Sequence, residues 1–445
     1  MERHRGIHFY ISIVNYNEII KADEKKDGKV NHFIHALDTF FSSIEQFGKK
    51  YYSNSFNVEK ITGSRLHLYV VDSSVIDAFQ VVKDISVFAL KLSQIINHEI
   101  GKYSSLSDFQ INIGASYGKF YVFEFQANEE KEYDEITSIG YVANIAAKIQ
   151  NKTHISSLGI SRSIYSELRK EDKDLFSFNS DSSFAKYELS GFYSAPIKSL
   201  ATSFDLTSEE FDFAREHANK SNICDVEPSE PRAKLSFDSL SIKNTKKIDG
   251  IPLFCDVRGF TSQFEKDDSN LEEMARKTLE ILGSMYKVVV KNDGIHVQFQ
   301  GDREFSVFHN ISDKKCFKQS VLAGMRLIDA VKPEKVGVGI GASFGTMFAT
   351  KIGARGEKDN IVLGQTVSEA DKLEDQYAGE NEIAITEDVY DGLKKEDIQL
   401  AKLFSRRGNV YVSSVGFEEY FSSLMSQRLT SNNEAKNYNP AWGCG

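Results

Sequence analysis

A chain of 445 residues, 41% hydrophobic and 27% charged, is long enough to bury two or more cores. Its net charge of -10 excludes a general nucleic-acid or anionic-membrane surface, and no apolar run approaches the length of a bilayer span. Nothing resembles a signal peptide, and Cys224, Cys255, Cys316 and Cys444 lack metal-ligand spacing, so a cytoplasmic protein in a reducing compartment is expected.

Strand-like and helix-like stretches alternate from about residue 7 to 195. A strand over 6–14 and a helix over 31–49 precede short strands 56–62 and 65–71, which flank a hairpin turn at Gly63-Ser64. A long helix is predicted over 74–99, then a strand pair, 109–117 and 119–125, turning at Gly118. A helix over 142–150 follows, opened by Gly140. Residues 201–247 are polar, mixed in charge and carry Pro228 and Pro231, which predicts a linker with one short helix at 208–218.

From about 250 to 418 that order repeats. A strand at 250–256 and a helix at 271–290 lead to hairpin strands 295–299 and 304–308 around Gly301-Asp302. A helix at 314–330, hairpin strands 336–344 and 347–351 around Gly345, and a helix at 367–375 complete the copy. Two copies of β-α-β-β-α-β predict an α+β protein with two ferredoxin-like domains and antiparallel sheets, at 1–200 and 248–418. The polar tail, 419–445, is expected to be partly disordered.

The chemistry concentrates on Asp256 and Asp302. Each ends or follows an apolar strand and stands near a glycine that lets backbone approach a ligand, an arrangement suited to hard divalent cations clamped on a triphosphate. The first copy has Ser12 and Ser64 at those two places.

These motifs resemble the catalytic domain of class III nucleotide cyclases. Its metal-binding strand, F-x-D-[IV]-x-G-F-[TS], stands here as Phe254-Cys255-Asp256-Val257-Arg258-Gly259-Phe260-Thr261, and its G-D turn as Gly301-Asp302. Its helix motif, G-x-x-V-N-x-A-x-R, runs from Gly364 to Lys372, with Ser368 for Asn and Lys372 for Arg. The first copy runs from Gly140 to Lys148, keeps Asn144 and has Lys148 at the arginine position. Lys60 and Thr137 match the family's base-reading positions; their counterparts, Gln298 and Ile361, are poor base readers.

The resemblance implies an intramolecular head-to-tail pseudo-dimer with one working site and one degenerate site. The working site would take two Mg²⁺ or Mn²⁺ ions on Asp256, Val257 and Asp302. Main-chain N–H groups of Val257, Arg258, Gly259, Phe260 and Thr261 would cradle phosphate. Lys60 and Thr137 would read the base, Asn144 would orient the ribose, and Lys148 would offset charge on the five-coordinate phosphorus. Lys186, Lys351 and Arg355 are candidates for a further triphosphate contact. The degenerate site would pair Ser12 and Ser64 with Gln298, Ile361, Ser368 and Lys372.

A lysine and a hydroxyl leave ATP and CTP nearly tied, disfavour GTP and admit UTP through the ambivalence of the hydroxyl. With no sensor or membrane module attached, the chain looks like the stand-alone pyrimidine cyclases of bacterial antiphage systems. Cyclic CMP, or else cyclic UMP, would then be read by a separate cyclic-nucleotide effector. The alternatives are an adenylate cyclase, an inactive nucleotide sensor or scaffold, and a palm-type polymerase, for which a G-G-[DE]-[DE]-F signature is lacking. A monomer suffices and a homodimer is compatible; nucleic-acid and membrane partners are not expected. The glycines of 337–341 lie within a strand and open no helix, and His32 and His35 lack a third ligand. The acidic runs 128–135 and 265–268 read as solvated loops.

Overall fold

The computed structural model describes residues 2–24, 30–71, 74–96, 108–126, 134–187, 189–220, 229–259, 271–311, 315–353 and 358–426. The first half contains β1 (Glu2–Ile13), β2 (Phe56–Thr62), β3 (Arg65–Val71), β4 (Ile111–Gln126), β5 (Asp134–Ile139), β6 (Ser157–Ile160), β7 (Ser177–Ser180) and β8 (Gly191–Pro196). The strand order is β2-β3-β1-β4-β6-β8-β7, with β5 added to β4. The second half repeats it with β9 (Lys246–Arg258), β10 (Ile295–Phe299), β11 (Arg303–His309), β12 (Gly337–Ala342), β13 (Gly345–Ile352), β14 (Asp359–Leu363), β15 (Glu382–Ile385), β16 (Ser405–Arg407) and β17 (Val410–Ser413). Its order is β10-β11-β9-β12-β15-β17-β16. Both sheets are antiparallel except for one parallel pair each, β4 with β6 and β12 with β15, which corrects the purely antiparallel expectation.

β1 is buried without interruption from Gly6 to Ile13 because β3 and β4 flank it and both its faces are covered. The helices Val30–Tyr52 and Val75–Ile95 close one face; Ser74 caps the second by accepting from Asp77 N–H. In the second half, Leu271–Lys291 and Phe317–Val331 play that part. The helices Tyr141–Lys152 and Gln365–Gln376 each begin after a glycine.

Two expected hairpins are absent. β4 runs straight through Gly118, and β12 and β13 follow one another along β9, so neither Gly118 nor Gly345 makes a turn. Both serve close approach instead. A Cβ on Gly118 would meet Val142 Cγ2 at 2.6 Å, and one on Gly345 would meet Thr366 Oγ1 at 2.3 Å. Each glycine lets the first turn of the following helix sit on the sheet.

The halves embrace reciprocally. Tyr121, Phe123 and Ile139 of the β4–β5 arm join the second half's core, while Phe348, Ile352, Ile361 and Leu363 of β13–β14 join the first half's core. Residues 201–247, expected to be a linker, are docked where they are described. Phe211 stacks on Phe88 at 5.1 Å, and Ala214 and Ala218 of the Asp212–Lys220 helix are buried in the first core. Leu235, Phe237 and Leu240 pack against the second half. In the tail, residues 417–426 are helical with Tyr420 buried; the remainder lies outside the described residues.

Candidate active site at one end of the seam

Side chains alternate along β9. Leu253, Cys255 and Val257 enter the core, whereas Phe254, Asp256 and Arg258 face the Gln365–Gln376 helix. Asp256 lies opposite Arg303 of β11 and Gly339 of β12. Asp302 sits in the β10–β11 turn, which Gly301 makes possible with φ 72°. Burial, then the charge of Asp302, pushes the Asp256 carboxyl up to about 7; burial pushes Asp302 up to about 6. Two partly buried carboxyls held against ionisation fit a divalent cation, which would take the place of the retained proton. Among the described residues no cluster of three or more His, Cys, Asp or Glu ligands forms. A cation here would therefore complete its oxygen shell from main chain, water and substrate phosphate.

An ion-pair lattice not foreseen from the sequence lies beneath Asp256. Arg258 Nη1 donates to Asp256 Oδ2 at 3.0 Å, and its Nη2 pairs with Glu374 Oε1 at 2.6 Å. Nη2 also donates to the main-chain oxygens of Glu374 and Ala378. Arg303 lies 4.1 Å over the Phe254 ring and pairs with Asp371 at 2.6 Å and Glu374 at 2.8 Å. Of the expected phosphate cradle, Val257 is still within β9, Arg258 ends it and Gly259 turns with φ 68°. Phe260 and Thr261 lie outside the described residues, as do Arg355 and the side chain of Lys186; Lys351 is half-buried on β13.

The first half meets this end of the seam. A Cβ on Gly301 would lie 3.9 Å from Asn144 Oδ1, so Asn144 faces the turn that carries Asp302. Lys148, one turn further, lies 5.5 Å over the Phe184 ring. Lys60 and Thr137 are neighbours, both buried, with Lys60 Nζ donating to Thr137 Oγ1 at 2.6 Å. The same ammonium donates to Glu135 Oε1 at 2.6 Å and, across the seam, to the Phe299 carbonyl at 2.8 Å. Glu135 also accepts from Phe299 N–H at 2.7 Å and meets His296 Nε2 at 3.2 Å. His296 Nδ1 in turn lies 2.9 Å from Glu304.

Glu135 thus corrects the reading of 128–135 as a solvated loop: it is buried at the seam, and 128–133 lie outside the described residues, as do 265–268. Burial works to raise the Glu135 carboxyl, but Lys60 and His296 overcome it and hold it below the usual range. Its burial carries no hydropathy signal, for the apolar neighbour Ile136 is 42% exposed while Glu135 and Thr137 are buried.

The other end of the seam holds a cavity of about 310 Å³ whose lining includes Ser12, Ser64, Arg65, Arg303, Ser368 and Lys372. Four residues assigned to the degenerate site therefore come together there. Gln298 and Ile361 are buried behind it, outside the lining. Asp359 Oδ2 accepts from Ile61 N–H across the seam at 2.8 Å.

The adenylate and guanylate cyclase catalytic-domain family matches this chain over residues 4–191 and 245–423. The chain is 24% identical over 293 residues to a uridylate cyclase of Pseudomonas aeruginosa. That match covers 60% of this chain and 55% of the relative, so it spans about half of the relative's length. The crystal structure of a class III adenylyl cyclase-like ATP-binding protein from Pseudomonas aeruginosa superposes with a TM-score of 0.72 at 19% identity. That superposition covers 95% of this chain and 90% of the other, a likeness of fold. No helix among the described residues is long and apolar enough to cross a membrane.

Proposed function

Because the chain belongs to the adenylate and guanylate cyclase catalytic-domain family, we propose that it cyclises a pyrimidine nucleoside triphosphate, CTP or UTP, at the Asp256–Asp302 end of the seam. The ribose 3′-oxygen attacks the α-phosphorus of the same molecule, the bond to the β-phosphate oxygen breaks, and a 3′,5′-cyclic nucleotide and pyrophosphate result. The 3′-hydroxyl proton passes to solvent. Two Mg²⁺ or Mn²⁺ ions, held through Asp256 and Asp302, would acidify the 3′-hydroxyl and bind the β- and γ-phosphates.

The residues of the first half supply orientation. Asn144 faces the metal-bearing turn and is placed to hold the ribose, while Lys60 and Thr137 form the wall that meets the base. Lys148, whose Nζ lies 5.5 Å over the Phe184 ring, would offset charge on the phosphorus, and as a point charge it lacks arginine's bidentate fork.

One observation carries the reading: Asn144 of the first half stands against Gly301-Asp302 of the second, so nucleoside-holding and cation-holding groups converge from different halves. The likeness to a uridylate cyclase favours a pyrimidine over ATP. The product would serve as a second messenger for a separate cyclic-nucleotide effector in antiphage defence. The test is incubation of the full chain with each of the four NTPs and Mn²⁺, followed by mass-spectrometric identification of product and assay of pyrophosphate. A cyclic pyrimidine nucleotide is expected. Exclusive conversion of ATP would overturn the base assignment, and no conversion of any NTP would leave the inactive sensor as the better reading.

A further inference from the structure

Glu135 and His296 are assigned no role above, yet they close a buried chain across the seam in the order Glu304, His296, Glu135, Lys60. Holding the halves together requires much less. At both ends of the seam a carboxylate accepts the N–H of the residue that follows the base-reading position: Glu135 from Phe299, Asp359 from Ile61. At the Asp359 end the strand registers put Gln298, Ile361, Val58 and Leu66 where the other end has Lys60, Thr137, His296 and Glu304, and the further bonds between the halves are simple ones, such as Gly353 N–H to Asp38. The additional cations, hydroxyl and acid are built only at the end that carries Asp256 and Asp302.

Their hydrogen-bond directions are fixed by chemistry. An ammonium has three protons and no acceptor, and Lys60 gives one each to Glu135, Thr137 and the Phe299 carbonyl. Thr137 Oγ1 must therefore accept from Lys60, and among the described residues its own hydrogen has no acceptor. We infer that Glu135 and His296 are positioning residues for base selection: Glu135 pins the Lys60 ammonium in the wall, and His296 pins Glu135. Thr137 is fully buried, so a base meets its hydrogen only when the seam opens there, and gains a Lys60 proton only by replacing the Phe299 carbonyl. This rests on the aspartate end being the nucleotide site. It adds that selectivity among bases is set one layer behind the residues that touch the base.

The test compares the full-length wild type with Glu135→Ala, Glu135→Gln and His296→Gln. For each NTP with Mn²⁺, KM and kcat are measured, together with displacement of a fluorescent CTP analogue and the melting temperature. Glu135→Ala frees a Lys60 proton, so the ratio of kcat/KM between the best and second-best NTP should fall at least tenfold. The change should sit in KM, with kcat for the best substrate within threefold of wild type. Glu135→Gln, which keeps an acceptor for Lys60 and for Phe299 N–H, should lose less discrimination than Glu135→Ala, and His296→Gln should resemble it. A discrimination ratio within twofold of wild type in all three variants, with kcat lowered equally for every NTP, would reduce the cluster to structural glue and overturn the inference. A wild type that neither converts nor binds any NTP would instead bring down the nucleotide site itself.

Discussion

The two ends of the seam are the same construction carried to different degrees. Each has a glycine hairpin, at Gly63 and Gly301, each a helix opened by a glycine, and each an acid bonded to a main-chain N–H across the boundary. What differs is what the turn and wall carry: Asp256, Asp302, Lys60, Thr137 and Asn144 at one end, and Ser12, Ser64, Gln298, Ile361 and Ser368 at the other. The shared set joins the two halves, and the unshared set is where the proposed chemistry resides. Duplication supplies the interface twice, and a single working site needs only one metal-bearing half and one nucleoside-bearing half.

The sharpest way to break this comparison is to substitute equivalent positions at the two ends. Asp302→Asn should lower product formation about 10³-fold, the loss expected when a charge-stabilising group leaves a catalytic site. Ser64→Ala, its counterpart, should leave the rate within about twofold, as a surface or cavity change away from the chemistry. Initial rates with the preferred NTP and Mn²⁺ decide it; comparable losses from both substitutions would mean that both ends turn over substrate.

A smaller effect separates the two walls. Lys60→Met leaves Glu135 buried without its closest cation and should destabilise the chain by about 3 kcal/mol, the scale of a broken buried ion pair. Gln298→Met removes an amide whose Oε1 has no hydrogen-bond partner, so its midpoint should stay within about 1 kcal/mol of wild type or rise. Urea denaturation of both variants makes the measurement. A large loss from Gln298→Met would show that the second wall carries a polar network of its own.

Much of the site is visible in the sequence because it is local. Asp256 and Asp302 end or follow apolar strands, Gly63 and Gly301 sit in short hairpins, and the helix after Gly140 has its counterpart after Gly364. The residues that the sequence does not mark have distant partners. Glu135 is 75 residues from Lys60 and 161 from His296, and a charge within an acidic run carries no periodic mark of burial. Glu374 likewise looks like an exposed helix acid until Arg258 and Arg303 are brought to it. A glycine between apolar runs signals a turn, but at Gly118 and Gly345 the packed helix shows that the glycine makes room instead. The docking of the described parts of 201–247 is hidden for the same reason, since their few apolar residues find partners in both cores.

The ends also differ in how their stability depends on pH. Burial pushes the Asp359 carboxyl up to about 7 from its ordinary 3.8. The folded chain therefore keeps a proton that the unfolded chain releases, and this contribution to stability is full below 3.8 and lost as pH rises to about 7. At the other end burial works to lower His296, but Glu304 and Glu135 overcome it and hold the imidazole at about 9, against an ordinary 6.5. Its contribution is present below 6.5 and lost as pH rises through about 9. Neither slope can exceed about 1.4 kcal/mol per pH unit for one proton. Asp359→Asn should therefore flatten the stability profile between about pH 4 and 7 and leave the alkaline limb alone, whereas His296→Gln should flatten the limb between about 6.5 and 9. Denaturation midpoints taken across pH 4–10 read both windows. If either substitution flattened both limbs, the two latches would be coupled through the seam rather than independent.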